Sequence, residues 1–129
     1  MFGITTTILS LLATPALPQA DGVTLMAKVQ PGSDCNDIWG YTAPNGDEYA
    51  LVGTVAGTSI YNCVNPSAPY LTAAIPGPGS IWRDLKTYGE YAYVVTEGAG
   101  GMQIIDLSDP ENPFLVKTWA SNYYSNAHN

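Results

Sequence analysis

Basic residues are scarce in this chain of 129 residues, which has four lysines and arginines and one histidine against eleven aspartates and glutamates. The net charge of −7 argues against nucleic-acid binding, because phosphate neutralisation requires clustered Lys and Arg. No segment has the 3.6-residue apolar period of an amphipathic helix. A catalytic serine motif and a phosphate-binding loop are also absent. We therefore predict no catalytic and no cofactor-binding residues.

Cysteine is equally scarce, since Cys35 and Cys63 are the only two. Together with the lone His128 they offer too few ligands for a zinc site. Export of the protein would permit a disulfide between them, so the pair is a disulfide candidate. Two buried free thiols are the alternative.

What the chain does contain is an internal repeat. Residues 49–54 (YALVGT) recur as 91–96 (YAYVVT), 42 residues later, and two further segments recur 44 residues later. These are 57–62 (GTSIYN) with 101–106 (GMQIID), and 65–71 (NPSAPYL) with 109–115 (DPENPFL). The alignment pairs Tyr49 with Tyr91, and the segment before it pairs Trp39 with Trp82. We predict that these four residues are structural repeat positions.

A period slightly above about 40 residues, made of short strands and turns, is typical of a β-propeller blade. We predict an all-β fold, a partial β-propeller of about two four-stranded antiparallel blades and the start of a third. The blades span about 36–75 and 79–119 within an incomplete propeller region at 21–129. A further strand is predicted at 23–29. In the second blade Arg83 and Leu85 share one face of a strand, where Arg83 is expected to bridge neighbouring blades. The alternative is that it faces the central channel.

The first twenty residues differ from the rest, because they carry no charged side chain and have an apolar core at 8–13. Small residues follow at Ala16 and Ala20, which predicts a secretory signal peptide at 1–20. The alternative is an apolar strand that joins the core. The apolar run is too short for a membrane span, so none is expected in the mature chain.

Several motifs resemble the choice-of-anchor B family, whose members are built from LVIVD-type propeller repeats. They are 37–44 (DIWGYTAP), 48–53 (EYALVG), 78–86 (PGSIWRDLK), and 91–97 (YAYVVTE) followed by 101–107 (GMQIIDL). The resemblance covers about 34–129. It implies a secreted or cell-surface protein of bacterial type, of which this chain is an N-terminal fragment.

One loop is dense in oxygen ligands. Asp106, Asp109 and Asn112 lie within residues 106–112 (DLSDPEN), which makes them candidates for a calcium site. The matching segment of the first repeat lacks the carboxylates. The alternative is that these side chains bond to the backbone of an Asx-Pro turn. No other metal or cofactor is expected.

Together these features predict a non-catalytic interaction module, secreted or on the cell surface, that binds an unknown extracellular protein or ligand. Self-association through open sheet edges is a further expectation, because unpaired edge strands can pair between copies. The alternative function is that of an exported hydrolase whose active site lies in blades absent from this chain.

Overall fold

The computed structural model describes residues 19–20, 22–124 and 126–127. The signal peptide predicted at 1–20 lies almost wholly outside the described residues, and so does His128. Throughout the described part the chain is all-β, as predicted, with two four-stranded antiparallel sheets and one small hairpin whose strands have two residues each. The strands are β1 (Gln19–Ala20), β2 (Val23–Thr24), β3 (Cys35–Thr42), β4 (Glu48–Thr54), β5 (Gly57–Asn62), β6 (Tyr70–Pro76), β7 (Arg83–Tyr88), β8 (Tyr91–Thr96), β9 (Met102–Asp106) and β10 (Phe114–Trp119).

Each large sheet is a meander in which every strand pairs with its neighbour in sequence. The first sheet has the order β3-β4-β5-β6 and the second the order β7-β8-β9-β10. Turn residues explain the reversals, since Gly46 and Gly89 have φ values of 91° and 56° at the tips of the β3–β4 and β7–β8 hairpins. Two successive four-stranded meanders agree with a partial propeller-like arrangement.

The extra strand predicted at 23–29 is wrong beyond Thr24. Only Val23 and Thr24 pair, with Ala20 and Gln19, and residues 25–34 have no regular structure. The alternation of side chains in this segment is that of a strand, but among the described residues no neighbouring strand supplies the hydrogen bonds that a strand needs.

The core lies between the two sheets. On the first sheet Leu51 and Ile60 are directly opposite each other on β4 and β5, and both are completely buried. On the second sheet Leu85 and Ile105 are completely buried in the same cluster. We call these two packed surfaces the contact faces, and the opposite surfaces the outward faces. Their burial holds the sheets together by the hydrophobic effect.

The contact also joins the first strands of the two sheets. The indole Nε1 of Trp39 on β3 donates to Oγ1 of Thr87 on β7 at 3.0 Å, and Nζ of Lys86 lies 4.1 Å from the centre of the Trp39 ring. The carboxylate of Asp37 accepts a bond from the backbone N–H of Leu85 at 2.9 Å. Asp37 thereby satisfies a backbone donor on β7, the edge strand of its sheet.

Candidate functional site

A carboxylate from the second sheet is bound by three side chains of the first. Glu111 lies in the loop between β9 and β10, and its Oε1 accepts from the Tyr49 hydroxyl at 2.8 Å and from Nδ2 of Asn62 at 2.7 Å. Its Oε2 accepts from the Tyr70 hydroxyl at 3.0 Å. We call these four residues the Glu111 cluster. It fixes the loop of one sheet on the contact face of the other.

The three donors are brought together by strand register. Tyr49 on β4 is opposite Asn62 on β5, and Asn62 is opposite Tyr70 on β6. Directly opposed residues of antiparallel strands project from the same face of a sheet. One row across three strands therefore supplies all three donors.

The hydrogen bonds of the cluster shift the pKa values of Glu111 and Tyr49. The hydrogen bond from Asn62 is the main reason that the pKa of Glu111 lies below its ordinary value, and the two tyrosine hydroxyls act in the same direction. Burial, followed by the bond to Glu111, raises the pKa of Tyr49 to about 12. Near neutral pH the carboxylate is thus charged and the phenol neutral, which is the pairing that the hydrogen bond requires.

Around the Glu111 cluster lies an open cleft of about 650 Å³ where the loop ends of the two sheets meet. Three carboxylates line it, those of Asp47, Asp109 and Glu111, and no Lys, Arg or His does. The hydroxyl-bearing ring of Tyr70 is half exposed at its edge. An acidic, aromatic-edged cleft favours cationic or hydrogen-bond-donating groups by electrostatic complementarity.

The calcium candidates are engaged within their own loop. Oδ1 of Asp106 accepts from the backbone N–H and the hydroxyl of Ser108, at 2.8 and 2.6 Å. Oδ2 of Asp109 accepts from Nδ2 of Asn112 at 2.9 Å. These are the bonds of the Asx-turn alternative, and no group of three or more His, Cys, Asp and Glu in the described ranges could hold a metal ion. The contacts give the calcium prediction no support.

The disulfide does not form. Both cysteines are free, Cys35 exposed and Cys63 half-buried. Cys35 begins β3 opposite Thr54, whereas Cys63 follows β5 and bonds through its N–H to the carbonyl of Glu48. The two thiols thus sit at opposite ends of the same sheet, too far apart for the Cα separation of a disulfide, about 7 Å at most. The buried-thiol alternative also fails for Cys35, which is exposed.

Of the four structural repeat positions, the two tyrosines occupy equivalent places in their sheets, and the two tryptophans do not. Tyr49 is opposite Asn62, and Tyr91 is opposite Asp106 in the same register. Trp39, however, lies within β3 opposite Leu51, whereas Trp82 precedes β7. The β3–β4 hairpin has a longer loop than the two-residue β7–β8 turn, and this shifts the alignment of the first strands.

Arg83 links the sheets, as expected for a bridging residue. Only 1% of it is exposed, its Nε donates to the carbonyl of Thr54 at 3.1 Å, and its Nη2 donates to the carbonyl of Pro78 at 2.6 Å. Gln103 holds the same connection through a 2.8 Å bond to the carbonyl of Pro76. A Cβ at Gly77 would lie 2.7 Å from Nη1 of Arg83 and from Oε1 of Gln103, so a larger residue there would require the ends of these two side chains to move.

Comparison with known proteins assigns the second sheet to a repeat family. The LVIVD repeat model matches residues 79–120, which include all of β7 to β10 and the loop that carries Glu111. This confirms the repeat type, a structural repeat and not a known catalytic family. No curated protein and no solved structure shows significant similarity to this chain. In the described part, no helix has the length and apolar character that a membrane crossing would need.

Proposed function

We propose that this chain is a non-catalytic binding module that uses the acidic cleft around Glu111 to hold a basic peptide segment of an extracellular partner. The observation that carries the proposal is the composition of the cleft. Three carboxylates and two tyrosines line it, and no Lys, Arg or His is among the lining residues. The chain's net charge of −7 adds a long-range attraction for cationic partners.

The geometry suits binding better than catalysis. The oxygens of Glu111 are occupied by three donors, so this carboxylate is fixed in place and its pKa is lowered. A general acid needs the opposite, a pKa raised toward the working pH. Glu111 therefore contributes a fixed negative charge that attracts a cation, and the half-exposed ring of Tyr70 adds an aromatic surface.

Titration of the 15N-labelled chain with peptides tests this function. A lysine-rich peptide should shift the amide signals of cleft residues such as Asn65 and Ser108, and a glutamate-rich peptide of the same length should not. Asp47→Asn removes one charge from the cleft and should weaken binding about twofold to fivefold. Added salt should weaken the binding that remains, because it screens the other carboxylates. Glu48→Gln is the matched control, because Glu48 is adjacent, exposed and not part of the cleft lining.

An absence of shifts with the basic peptide, or equal shifts with both peptides, would overturn the proposal. An equal loss of affinity in the Asp47 and Glu48 variants would do the same, because it would show that net charge and not the cleft binds the peptide.

The proposed setting is outside the cell, in a protein of the choice-of-anchor B type. The uncharged, apolar character of residues 1–20 and the LVIVD repeat at 79–120 support it. Fusion of residues 1–20 to a reporter enzyme that is active only after export tests the location. A fusion that remains inactive in the cytoplasm, while a fusion with a known signal peptide is exported, would contradict it.

A further inference from the structure

The first sheet carries a second cavity, at the end of the sheet opposite to the Glu111 cluster. The cluster uses Tyr49 near the start of β4, whereas this cavity lies where β4 ends at Thr54 and β5 begins at Gly57. Its volume is about 300 Å³. We call it the Ser59 pocket, and its lining includes Gly32, Ser33, Thr54, Ser59, Ala74 and Pro76.

The floor of the Ser59 pocket is the outward face of the first sheet. Ser59 on β5 is opposite Val52 on β4 and Ala74 on β6. Leu51 and Ile60, the neighbours of Val52 and Ser59 in sequence, belong to the contact face, and successive side chains of a strand alternate between faces. Ser59 and Ala74 therefore point outward, into the pocket that both of them line.

The irregular segment before β3 forms the opposite wall of the pocket. Gly32 and Ser33 contribute this wall. Hydrogen bonds hold the segment at the turn between β4 and β5. The N–H of Val55 donates to the carbonyl of Asp34 at 3.0 Å, and the N–H of Ala56 donates to Oγ of Ser33 at 3.4 Å. The pocket is thus enclosed between two separate parts of the chain.

The most buried polar group that faces the pocket is a hydroxyl without a partner. Ser59 is only 8% exposed, and its Oγ makes no hydrogen bond to any residue in the described part of the chain. Most buried polar side chains in proteins do have a hydrogen-bond partner. The Ser59 hydroxyl can therefore both donate to and accept from a molecule that occupies the pocket.

Two further hydroxyls of the lining retain part of their hydrogen-bonding capacity. Oγ1 of Thr54 donates to the carbonyl of Gly57 at 3.0 Å, so its oxygen can still accept. Oγ of Ser33 accepts from Ala56, so its own hydrogen can still be donated. The polar side of the pocket is thus made of neutral hydroxyls.

The rest of the lining is apolar and carries no charge. Ala56, Ala74 and Pro76 contribute apolar surface, and none of the described lining residues is Asp, Glu, Lys, Arg or His. A charged molecule would lose its hydration here without gaining an ionic partner. The volume is at the low end of the about 300–1,000 Å³ that is typical of ligand pockets. The pocket therefore suits a small neutral molecule that has an apolar body and a hydrogen-bonding group.

We propose that the Ser59 pocket binds a small neutral alcohol, whose hydroxyl bonds to Ser59 and whose apolar body packs against Ala74 and Pro76. This site is independent of the peptide binding proposed above, because it is uncharged and lies at the other end of the sheet from the acidic cleft. A molecule of so few atoms gains little binding free energy in total, so we expect a dissociation constant of about 1–10 mM.

Titration of the 15N-labelled full chain with cyclohexanol tests the proposal. The alcohol should shift the amide signals of Ser33, Gly57 and Ser59, and the shifts should saturate. Protonated cyclohexylamine has the same ring with a positive charge and should leave these three signals unchanged. Shifts of Asn65 and Ser108 report on the acidic cleft and not on this pocket.

Three variants locate the bound alcohol. Ser59→Ala removes the unpartnered hydroxyl and should weaken binding about threefold to tenfold. Ala74→Leu fills the pocket from its floor and should abolish saturable binding, and the exposed position of Ala74 accommodates the larger side chain. Ser67→Ala is the matched control and should bind as wild type does, because Ser67 is exposed in the loop after β5 and does not line the pocket.

The absence of saturable shifts with cyclohexanol would overturn the proposal. Equal shifts of the three pocket signals with the alcohol and with the protonated amine would also overturn it, because the site would then not select a neutral ligand. Unchanged affinity in Ser59→Ala would show that the hydroxyl has no role, and unchanged affinity in Ala74→Leu would place the alcohol elsewhere. Circular dichroism spectra that match wild type should confirm the fold of each variant.

Discussion

Removal of the Glu111 carboxylate should destabilise the chain at the junction of its two sheets. Glu111→Ala removes the acceptor of the Tyr49 hydroxyl and the shorter of two bonds made by Asn62 Nδ2, which also donates to the Tyr49 hydroxyl at 3.3 Å. The side chains of Tyr49 and Asn62 are only 4% and 6% exposed. A hydrogen bond to a charged group contributes about 1.5–3 kcal/mol, but Glu111 itself is exposed and solvent screening reduces this. Tyr70 is half exposed and can bond to water instead. We expect a loss of about 2 kcal/mol in the free energy of unfolding.

Urea unfolding at neutral pH measures this loss, and two variants refine it. Glu111→Gln keeps an acceptor near the two buried donors but removes the charge, so it should cost about 1 kcal/mol. Glu48→Gln is the control, since its exposed carboxylate accepts only from the Thr42 hydroxyl among the described hydrogen bonds. It should change stability by less than about 0.5 kcal/mol.

The pH dependence gives a second check on the same reasoning. Because the pKa of Glu111 is lowered in the folded chain, its contribution is complete above the ordinary glutamate pKa and is lost as the pH falls through the lowered value. The pKa of Tyr49 is raised to about 12, so its contribution is complete below the ordinary tyrosine value and is lost as the pH rises through about 12. Wild type and Glu111→Gln should therefore converge in acid.

Two results would refute this account. One is a change of less than about 0.5 kcal/mol for Glu111→Ala, which is the effect of an ordinary surface substitution. The other is a stability difference between wild type and Glu111→Gln that stays constant from about pH 7 to about pH 3.

The remaining predictions concern Arg83 and the two thiols. Arg83→Met removes the donors to the carbonyls of Thr54 and Pro78 and should lower the free energy of unfolding in urea by about 2 kcal/mol, and unchanged stability would contradict its bridging role. The exposed thiol of Cys35 should react with a disulfide reagent in the native chain faster than the half-buried thiol of Cys63, and a chain with no free thiol would contradict the separation of the two cysteines.

The repeat in the sequence predicts most of the strands, because the same local signals occur twice. Alternation and turn residues align β4 with β8 in the sequence, and the structure confirms the equivalence of Tyr49 and Tyr91. The match of Trp39 with Trp82 in the sequence wrongly indicates equivalent strand positions, because a tryptophan occurs at a similar spacing in both repeats. The register of the first strand depends on the length of the following hairpin, and that length differs between the repeats.

The Glu111 cluster could not be predicted in the same way. Its partners lie 62, 49 and 41 residues from Glu111 in the chain, and no local pattern records such distant contacts. In sequence Glu111 is an ordinary residue of an Asx-Pro turn. A comparison of the two repeats does contain a signal, since Glu111 replaces Ser67 and Asp106 replaces Asn62.

The meander order of the two sheets has a consequence for how the chain folds. Every strand of a sheet pairs with the strand adjacent in sequence, so each sheet closes only short loops as it forms. The contacts between sheets span many more residues, and Glu111 supplies three of them. Folding is then expected to proceed by early formation of each meander and late docking of the two. Interactions formed after the rate-limiting step resist unfolding without accelerating folding. We therefore expect the hydrogen bonds of the Glu111 loop to lower the rate at which the docked sheets separate, and hence the rate of unfolding, with little effect on the rate of folding.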